Sequence, residues 1–218
     1  MGVIFDLDGT LIDSLSLHAR LLKKGLDSVL GQDIVEYNTV EKFICYPTSF
    51  FFRILRTKYG IDISSKKTAE IMQIKDDAFR RRDIEKVKVF PYVRDTFKFL
   101  KSKNVKLCIA TSMNTRALKK FSPILKLRSL SKVIINSPSF FYEKPNPYIL
   151  NKAIRELKMD RAKTAYVGDS PADREAASNA GISFIGVFNS ALAGHGRFFE
   201  DFNGLLSYLR ETYKDFLD

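Results

Sequence analysis

Short apolar runs alternate with amphipathic stretches along most of the chain. Five of the runs are partly β-branched and are typical of buried parallel strands; they cover residues 3–5, 106–110, 133–135, 164–167 and 183–187. Between them, apolar residues recur at the three- and four-residue spacing of an α-helix, over residues 93–102, 115–125, 147–157 and 171–180. This order predicts an α/β fold in which helices cover both faces of a parallel sheet.

The alternation stops between residues 14 and 88. Apolar residues in this segment follow helical spacing, and none of it has the pattern of a strand. One helical stripe consists of Leu15, Ala19, Leu22, Leu26 and Val29. The sequence therefore predicts an all-helical domain at residues 14–88, inserted into a core domain made of residues 1–13 and 89–218.

The composition is that of a globular protein with a strongly basic surface. The chain has 218 residues, 45% of them hydrophobic, and no apolar run long enough to cross a membrane. Its net charge of +11 favours anionic partners, but the basic residues are dispersed, so we do not expect nucleic acid as a partner. Cys45 and Cys108 lie in apolar surroundings without a CxxC pair and are expected to be reduced thiols of a cytoplasmic protein.

Two acids follow the first predicted strand. Asp6 and Asp8 are two residues apart, so strand alternation places both carboxylates on one face, next to the turn that Gly9 permits. Two carboxylates this close repel each other unless a cation or a shared proton is present. The pair favours a metal-assisted reaction on an anion, and the alternative is an ordinary Asp-Gly turn.

Further polar residues follow the later strands. Thr111 ends the second apolar run, Lys144 opens Lys-Pro-Asn-Pro, and Asp169 and Asp173 follow the strand at residues 164–167. In open parallel sheets, ligands bind outside the carboxyl ends of the strands, so these side chains are expected to meet at one edge. Asp173 also completes a helix capping box, which gives that acid a structural alternative.

These segments resemble, in order and approximate spacing, the four motifs of the haloacid dehalogenase superfamily of phosphohydrolases. Those motifs are an N-terminal DxD, a Thr or Ser after the second core strand, a Lys, and a GDxxxD. The resemblance covers residue 1 to about residue 187. It implies a Rossmann-like core, and it implies that the helical insertion at residues 14–88 is a cap domain.

The resemblance also implies roles for the motif residues. Asp6 would be the nucleophile, which forms an aspartyl-phosphate, and Asp8 would protonate the leaving oxygen and then activate water. A hard cation bound by carboxylates points to Mg²⁺, with Asp6, Asp169 and the backbone carbonyl of Asp8 as ligands and Asp173 at the metal or its waters. Phosphate binding is expected from Lys144, from the Thr111 hydroxyl, and from the backbone N–H groups of Ser112 and Met113.

The helical segment offers weaker signals about the substrate. Asp13-Ser14-x-x-x-His18 is similar to the β-phosphoglucomutase branch, in which this His couples cap closure to acid–base chemistry; a packed or surface His is the alternative. That branch also has a Gly and an Arg in the cap loop, whereas residues 45–50 contain no basic residue. Tyr46 and Arg53 are further candidates for substrate contact, and His195 is expected to be only a loop residue.

The sequence thus predicts a Mg²⁺-dependent phosphatase acting on a small phosphorylated metabolite, similar to phosphoglycolate phosphatases and sugar phosphatases. A haloacid dehalogenase proper is disfavoured, because its second motif-one position is not Asp, whereas a phosphatase needs the leaving-group acid that Asp8 supplies. A sugar phosphomutase is the first alternative. A basic protein that binds nucleic acid on the same fold is the second.

Overall fold

The computed structural model describes residues 1–139 and 142–212. Its strands form one parallel six-stranded sheet in the order β3-β2-β1-β4-β5-β6. The strands are β1 Gly2–Phe5, β2 Lys106–Thr111, β3 Val133–Asn136, β4 Thr164–Gly168, β5 Ser183–Val187 and β6 Arg197–Phe199. The predicted α/β class is confirmed, and each predicted strand is present.

Helices pack on the sheet and also fill the segment between β1 and β2. That segment contains α1 Leu15–Leu30, α2 Tyr37–Phe43, α3 Thr48–Tyr59, α4 Ser65–Asp77, α5 Arg81–Ile84 and α6 Val93–Ser102. The later helices are α7 Thr115–Ile124, α8 Leu127–Leu130, α9 Tyr148–Glu156, α10 Pro171–Asn179 and α11 Phe202–Thr212. None of the helices in the described part of the chain has the length and hydropathy that a bilayer span requires.

The two faces of the sheet have separate apolar cores. Successive side chains of a strand point to opposite faces, so the neighbours Ile4 and Phe5 of β1 belong to different cores. The Phe5 ring packs against Phe97 of α6 and Phe202 of α11, with centroid distances of 4.6 and 6.3 Å. Ile4 packs with residues of α9 and α10, among them the fully buried Ile149.

The helical segment after β1 has an apolar cluster of its own. Its buried members are Ala19, Leu22, Leu26, Val35, Val40, Phe51, Leu55 and Ile71. The connection that leads into this segment pairs with the connection that leads out of it through backbone hydrogen bonds. The Asp13 N–H donates to the Lys88 carbonyl at 2.9 Å, and the Phe90 N–H donates to the Leu11 carbonyl at 3.0 Å. Both ends of the segment therefore lie side by side, next to the end of β1.

The C-terminal part of the sheet is absent from the sequence prediction. β6 is only three residues long and pairs with β5, for example Ile185 with Arg197, and α11 then packs on the same face as α6. A run of three residues that follows Gly194 and Gly196 carries too little periodicity to be recognised as a strand. His195 lies in the exposed bend before β6, as expected for a loop residue.

The packing of α11 gives a first prediction. Phe202 is fully buried and contacts the rings of Phe5 and Phe188. We expect Phe202→Ala to lower the free energy of unfolding by about 3–5 kcal/mol because it leaves a cavity in the core. Urea denaturation measures this change, and Asn203→Ala, at an exposed position of the same helix, is the matched control. Equal stability of the two variants would show that α11 is not part of the core.

Candidate active site

The polar residues that follow the central strands meet at one edge of the sheet. Phe5 of β1 is in register with Ile109 of β2 and Val167 of β4, so the residues after each strand emerge side by side. A cavity of about 510 Å³ lies at this edge, between the sheet and the helical segment. Most of the predicted site residues line it: Asp6, Asp8, His18, Tyr46, Thr111, Ser112, Lys144 and Asp169.

Lys144 is buried between two acids. Its Nζ lies 2.6 Å from Asp6 Oδ1 and 2.5 Å from Asp173 Oδ1, and its side chain is only 9% exposed. Burial alone would lower the pKa of Lys144, but the charges of Asp173 and Asp6 outweigh it, and the pKa lies above its ordinary value. Lys144 is therefore a permanent cation at the edge of the sheet.

Asp173 is the most enclosed of the acids, with no solvent exposure. The predicted capping box is present: the Asp173 N–H donates to Ser170 Oγ at 3.1 Å, and the Ser170 N–H donates to Asp173 Oδ2 at 3.0 Å. Tyr166, which is fully buried, donates its hydroxyl to Asp173 Oδ1 at 2.9 Å. These bonds position Asp173 for a structural role, and its place at a metal or its waters stays a prediction.

Asp169 directly follows β4 and contacts the turn after β1. It accepts a hydrogen bond from Thr10 Oγ1 at 2.6 Å. Gly9 makes this approach possible, since it has a φ of 81° and a Cβ at that position would lie 2.5 Å from Asp169 Oδ2. Burial, reinforced by the nearby charge of Asp173, raises the pKa of Asp169 to about 7.

The acids carry more negative charge than Lys144 can balance. Carboxylate oxygens of Asp6, Asp169 and Asp173 lie within 4.8 Å of one another, and all three residues are buried. Burial raises the pKa of Asp6 well above its ordinary value, although Lys144 lowers it. When ionised, the three acids leave two negative charges uncompensated by Lys144. Buried oxygen ligands with that excess charge suit a hard divalent cation.

Asp8 has different surroundings from Asp6. Ser14 Oγ donates to Asp8 Oδ1 at 2.6 Å, and His18 Nε2 lies 3.1 Å from the same oxygen. The His18 contact is close enough for an ion pair but lacks hydrogen-bond angles. Burial raises the pKa of Asp8, but the imidazole of His18, the Ser14 hydroxyl and the charge of Lys75 together hold it below its ordinary value.

Thr111 and the residues after it form the remaining polar wall. Thr111 Oγ1 accepts a hydrogen bond from the Met113 N–H at 2.9 Å and lies 3.4 Å from Asp8 Oδ2, to which it can donate. The cap of α7 is Asn114, whose side chain accepts from the Ala117 N–H at 2.9 Å. Thr111 is therefore not the N-cap of α7, and its hydroxyl stays at the cavity wall.

Arg53 and Cys45 of the helical segment have different positions relative to the cavity. Arg53 is exposed on α3, and its guanidinium lies 5.1 Å from the centre of the Phe50 ring. The preceding residue, Phe52, lines the cavity instead, and contact of Arg53 with the substrate stays a prediction. Cys45 is only half-buried and also lines the cavity, unlike the fully buried Cys108. Burial raises the pKa of Cys45 to about 11 and that of Cys108 to about 12, so both are thiols at neutral pH.

Several contacts that hold the helical segment over the cavity are absent from the sequence prediction. Glu143 accepts from the backbone N–H and the hydroxyl of Thr48, at 3.3 and 3.4 Å, at the start of α3. Asp76 of α4 accepts a hydrogen bond from Asn114. Lys120 of α7 donates to the Asp76 carbonyl at 3.0 Å. The partners lie far apart in the sequence, and no local pattern pairs them. Thr10, directly after Asp8-Gly9, is the one missed site residue that its position could have suggested.

Comparisons with known proteins identify similar sequences and similar folds. The family model for haloacid dehalogenase-like hydrolases matches residues 3–187. A phosphoglycolate phosphatase from Pseudomonas fluorescens (strain Pf0-1) is 30% identical over 198 residues, covering 89% of this chain and 71% of that protein. The solved structure of a hydrolase from Pseudomonas syringae has a TM-score of 0.82 at 24% identity, covering 96% and 98% of the two chains. A Thermotoga maritima protein, provisionally named a β-phosphoglucomutase, has a TM-score of 0.66 at 26% identity, covering 97% and 99%.

The raised pKa of Asp169 predicts how stability depends on pH when metal is absent. A carboxyl with a pKa of about 7 in the folded chain binds a proton there more readily than in the unfolded chain. Its contribution to stability is therefore lost as the pH rises from the ordinary carboxyl pKa of about 4 to about 7. We expect Asp169→Asn, in EDTA, to reduce this decline and to be more stable than the parent at pH 8.

Urea denaturation at several pH values measures this effect. Asp62→Asn, at an exposed position of the helical segment, is the control and should keep the pH dependence of the parent. If Asp169→Asn kept it as well, the Asp169 carboxyl would not be the group responsible.

Proposed function

The chain belongs to the haloacid dehalogenase-like hydrolases, and we propose that it is a Mg²⁺-dependent phosphatase that hydrolyses a small phosphomonoester through a covalent intermediate on Asp6. The observation that carries the proposal is the pair of acids at the end of β1. Asp6 lies beside the buried cation Lys144, and Asp8 lies beside His18, all in the wall of one cavity. The phosphoglycolate phosphatases among its relatives support a small phosphorylated substrate.

In the first step, an Asp6 oxygen attacks the phosphorus atom and the bond from phosphorus to the substrate oxygen breaks. The Lys144 ammonium and the Thr111 hydroxyl bind the phosphoryl oxygens and reduce their negative charge. The backbone N–H groups of Ser112 and Met113 are placed to add to this binding. The leaving oxygen takes a proton from Asp8, and the neighbouring His18 is a group that can hold that proton.

In the second step, water hydrolyses the aspartyl-phosphate and releases inorganic phosphate. Asp8 accepts the proton of the attacking water, and its lowered pKa keeps the carboxyl ionised before this step. A bound Mg²⁺ would be held by Asp6, Asp169 and the backbone carbonyl of Asp8, with Asp173 at the metal or its waters. When bound, it neutralises the charge that the buried acids and the phosphoryl group bring together.

We also propose that residues 14–88 act as a cap that covers the cavity. Their separate apolar cluster and the paired backbone at Asp13 and Lys88 support a division from the core at these boundaries. The contact of Glu143 with Thr48 and that of Asn114 with Asp76 tie the cap to the core in a closed arrangement. A cap of this kind excludes water from the site while the ester bond is broken.

A sugar phosphomutase is the second candidate, and two observations favour it. His18 lies next to Asp8, as in the mutase-like sequence pattern, and the Thermotoga maritima protein named a β-phosphoglucomutase shares the fold. A mutase must also hold a second phosphate in the cap. Residues 45–50 supply no cation and Arg53 lies outside the cavity, which leaves Lys75 of α4 as the basic side chain there among the described cap residues. We therefore favour hydrolysis.

The role of Asp6 gives a direct test. Asp6→Asn keeps the shape of the side chain but removes the charged nucleophile, so phosphate release should fall by several powers of ten while the fold is retained. Phosphate release from a panel of phosphomonoesters, with circular dichroism of the same samples, measures both. Asp13→Asn changes an exposed acid nearby and should retain full activity. Normal turnover by Asp6→Asn would remove the central claim.

The choice between phosphatase and mutase is decided by product analysis. We expect phosphorus NMR of reactions with glucose 1-phosphate and related sugar phosphates to show inorganic phosphate and no isomerised sugar phosphate. The physical reason is that Lys75 is the single lysine or arginine that lines the cavity among the described cap residues, so a second phosphate has no clamp of several cations to hold it against attack by water. Accumulation of the isomer, stimulated by a sugar bisphosphate and faster than phosphate release, would establish the mutase instead.

A further inference from the structure

The cavity has two ends of different chemistry. The end at the sheet is lined by charged and hydroxyl groups, including Asp6, Asp8 and Lys144. The end beneath the helical segment is lined mainly by apolar side chains that are only half-buried, so part of their surface is open to the cavity; they include Leu15, Phe43, Ile44, Tyr46, Phe52 and Met72. Apolar surface in contact with water is unfavourable and is stabilised when a ligand covers it.

The volume of the cavity exceeds what a compact substrate fills. The phosphoryl group occupies only the charged end, and a water molecule takes about 30 Å³ of liquid volume, against a cavity of about 510 Å³. Cavities of this size hold ligands much larger than a two-carbon alcohol. A glycolate leaving group would therefore leave most of the apolar walls in contact with water.

The charges at the apolar end do not suit an acidic leaving group. On the helical side, Lys75 is the lysine or arginine that lines the cavity among the described residues. Burial raises the pKa of Glu143, and the hydrogen bonds from Thr48 and the charge of Lys75 offset part of this effect. Lys75 also lowers the pKa of Asp8. Asp8 and Glu143 line the same cavity as Lys75, so this cation already has carboxylates of the protein to balance.

We propose that the substrate is a phosphomonoester whose alcohol carries an apolar group, which lies against Phe43, Tyr46 and Met72 while the phosphoryl group lies at Asp6. The proposal rests on the phosphatase function proposed above and names the substrate class of the same site. It separates this chain from the substrate named for its phosphoglycolate phosphatase relatives, since glycolate is small and acidic.

A series of alkyl phosphates tests the substrate class. Ethyl, butyl, hexyl and octyl phosphate have leaving groups of nearly equal basicity, so differences in kcat/KM report contacts of the chain with the cavity. We expect kcat/KM to rise about threefold to fourfold for each added methylene until the apolar end is filled, and phosphoglycolate to be a poorer substrate than butyl phosphate. Comparison of benzyl with cyclohexylmethyl phosphate then tells whether the walls prefer a flat ring.

Two reciprocal variants of α4 locate the contact. Met72 lines the cavity, and its neighbour Gln73 is exposed. Met72→Gln keeps the length of the side chain but makes it polar, so we expect it to flatten the rise of kcat/KM with chain length, with its largest loss for the longest esters. Gln73→Met, the control, should keep the slope of the parent. A purely structural effect would lower kcat/KM for every ester equally.

The possible failures are distinguishable. If kcat/KM stays flat across the series while phosphoglycolate is hydrolysed well, the substrate class is overturned and the phosphatase function stands. If Met72→Gln keeps the full slope, the proposed apolar end is wrong. If folded, Mg²⁺-loaded protein releases no phosphate from any ester, including p-nitrophenyl phosphate, the proposed function fails and this inference fails with it.

Discussion

The balance of charge around Lys144 is the constraint on which the site depends. Three buried acids converge on the carboxyl edge of the sheet, and one buried ammonium pairs with two of them, at 2.6 Å from Asp6 and 2.5 Å from Asp173. Lys144 would still pair with Asp173 if Asp6 were neutral, but loss of the Lys144 ammonium would be strongly destabilising, because it leaves the buried acids without a compensating charge. The cation proposed to bind the phosphoryl group is therefore also a group that keeps this edge of the sheet folded.

This constraint explains why small residues and hydroxyls surround the acids. Gly168 precedes Asp169, and a Cβ there would lie 2.6 Å from Asp173 Cβ, so glycine is needed where β4 passes the start of α10. Thr10 and Tyr166 each donate a hydrogen bond to a buried carboxylate. Each of these hydrogen bonds offsets part of the free-energy cost of burying an ionised acid, and it does so without adding charge. The acids still lack compensating positive charge, and a bound divalent cation would supply it.

The sequence predicts those site residues that directly follow a recognisable strand, because parallel strands carry their functional residues at the carboxyl ends. Asp6, Lys144 and Asp169 were predictable because each follows a strand and parallel strands end at a common edge. Arg53 and the C-terminal strand were not, for different reasons. The direction of Arg53 depends on how α3 rotates against its neighbours, and β6 is fixed by pairing with β5 rather than by its own three residues. The Glu143 contact with Thr48 joins residues with a sequence separation of 95, which no periodicity records.

The two ends of the cavity differ in the same way: local sequence determines one end, and the packing of helices determines the other. The charged end is built from short motifs attached to strands, so its chemistry is set within a few residues of each strand end. The apolar end is built from several helices, and which side chains face the cavity follows from the packing of α1, α3 and α4 around their own cluster. Phe51 is buried in that cluster and also lines the cavity, whereas its neighbour Phe52 lines the cavity and is only half-buried. We therefore expect substitutions at half-buried wall positions such as Phe52 to alter the choice of leaving group with little effect on the proposed phosphoryl site, because the two ends share few residues.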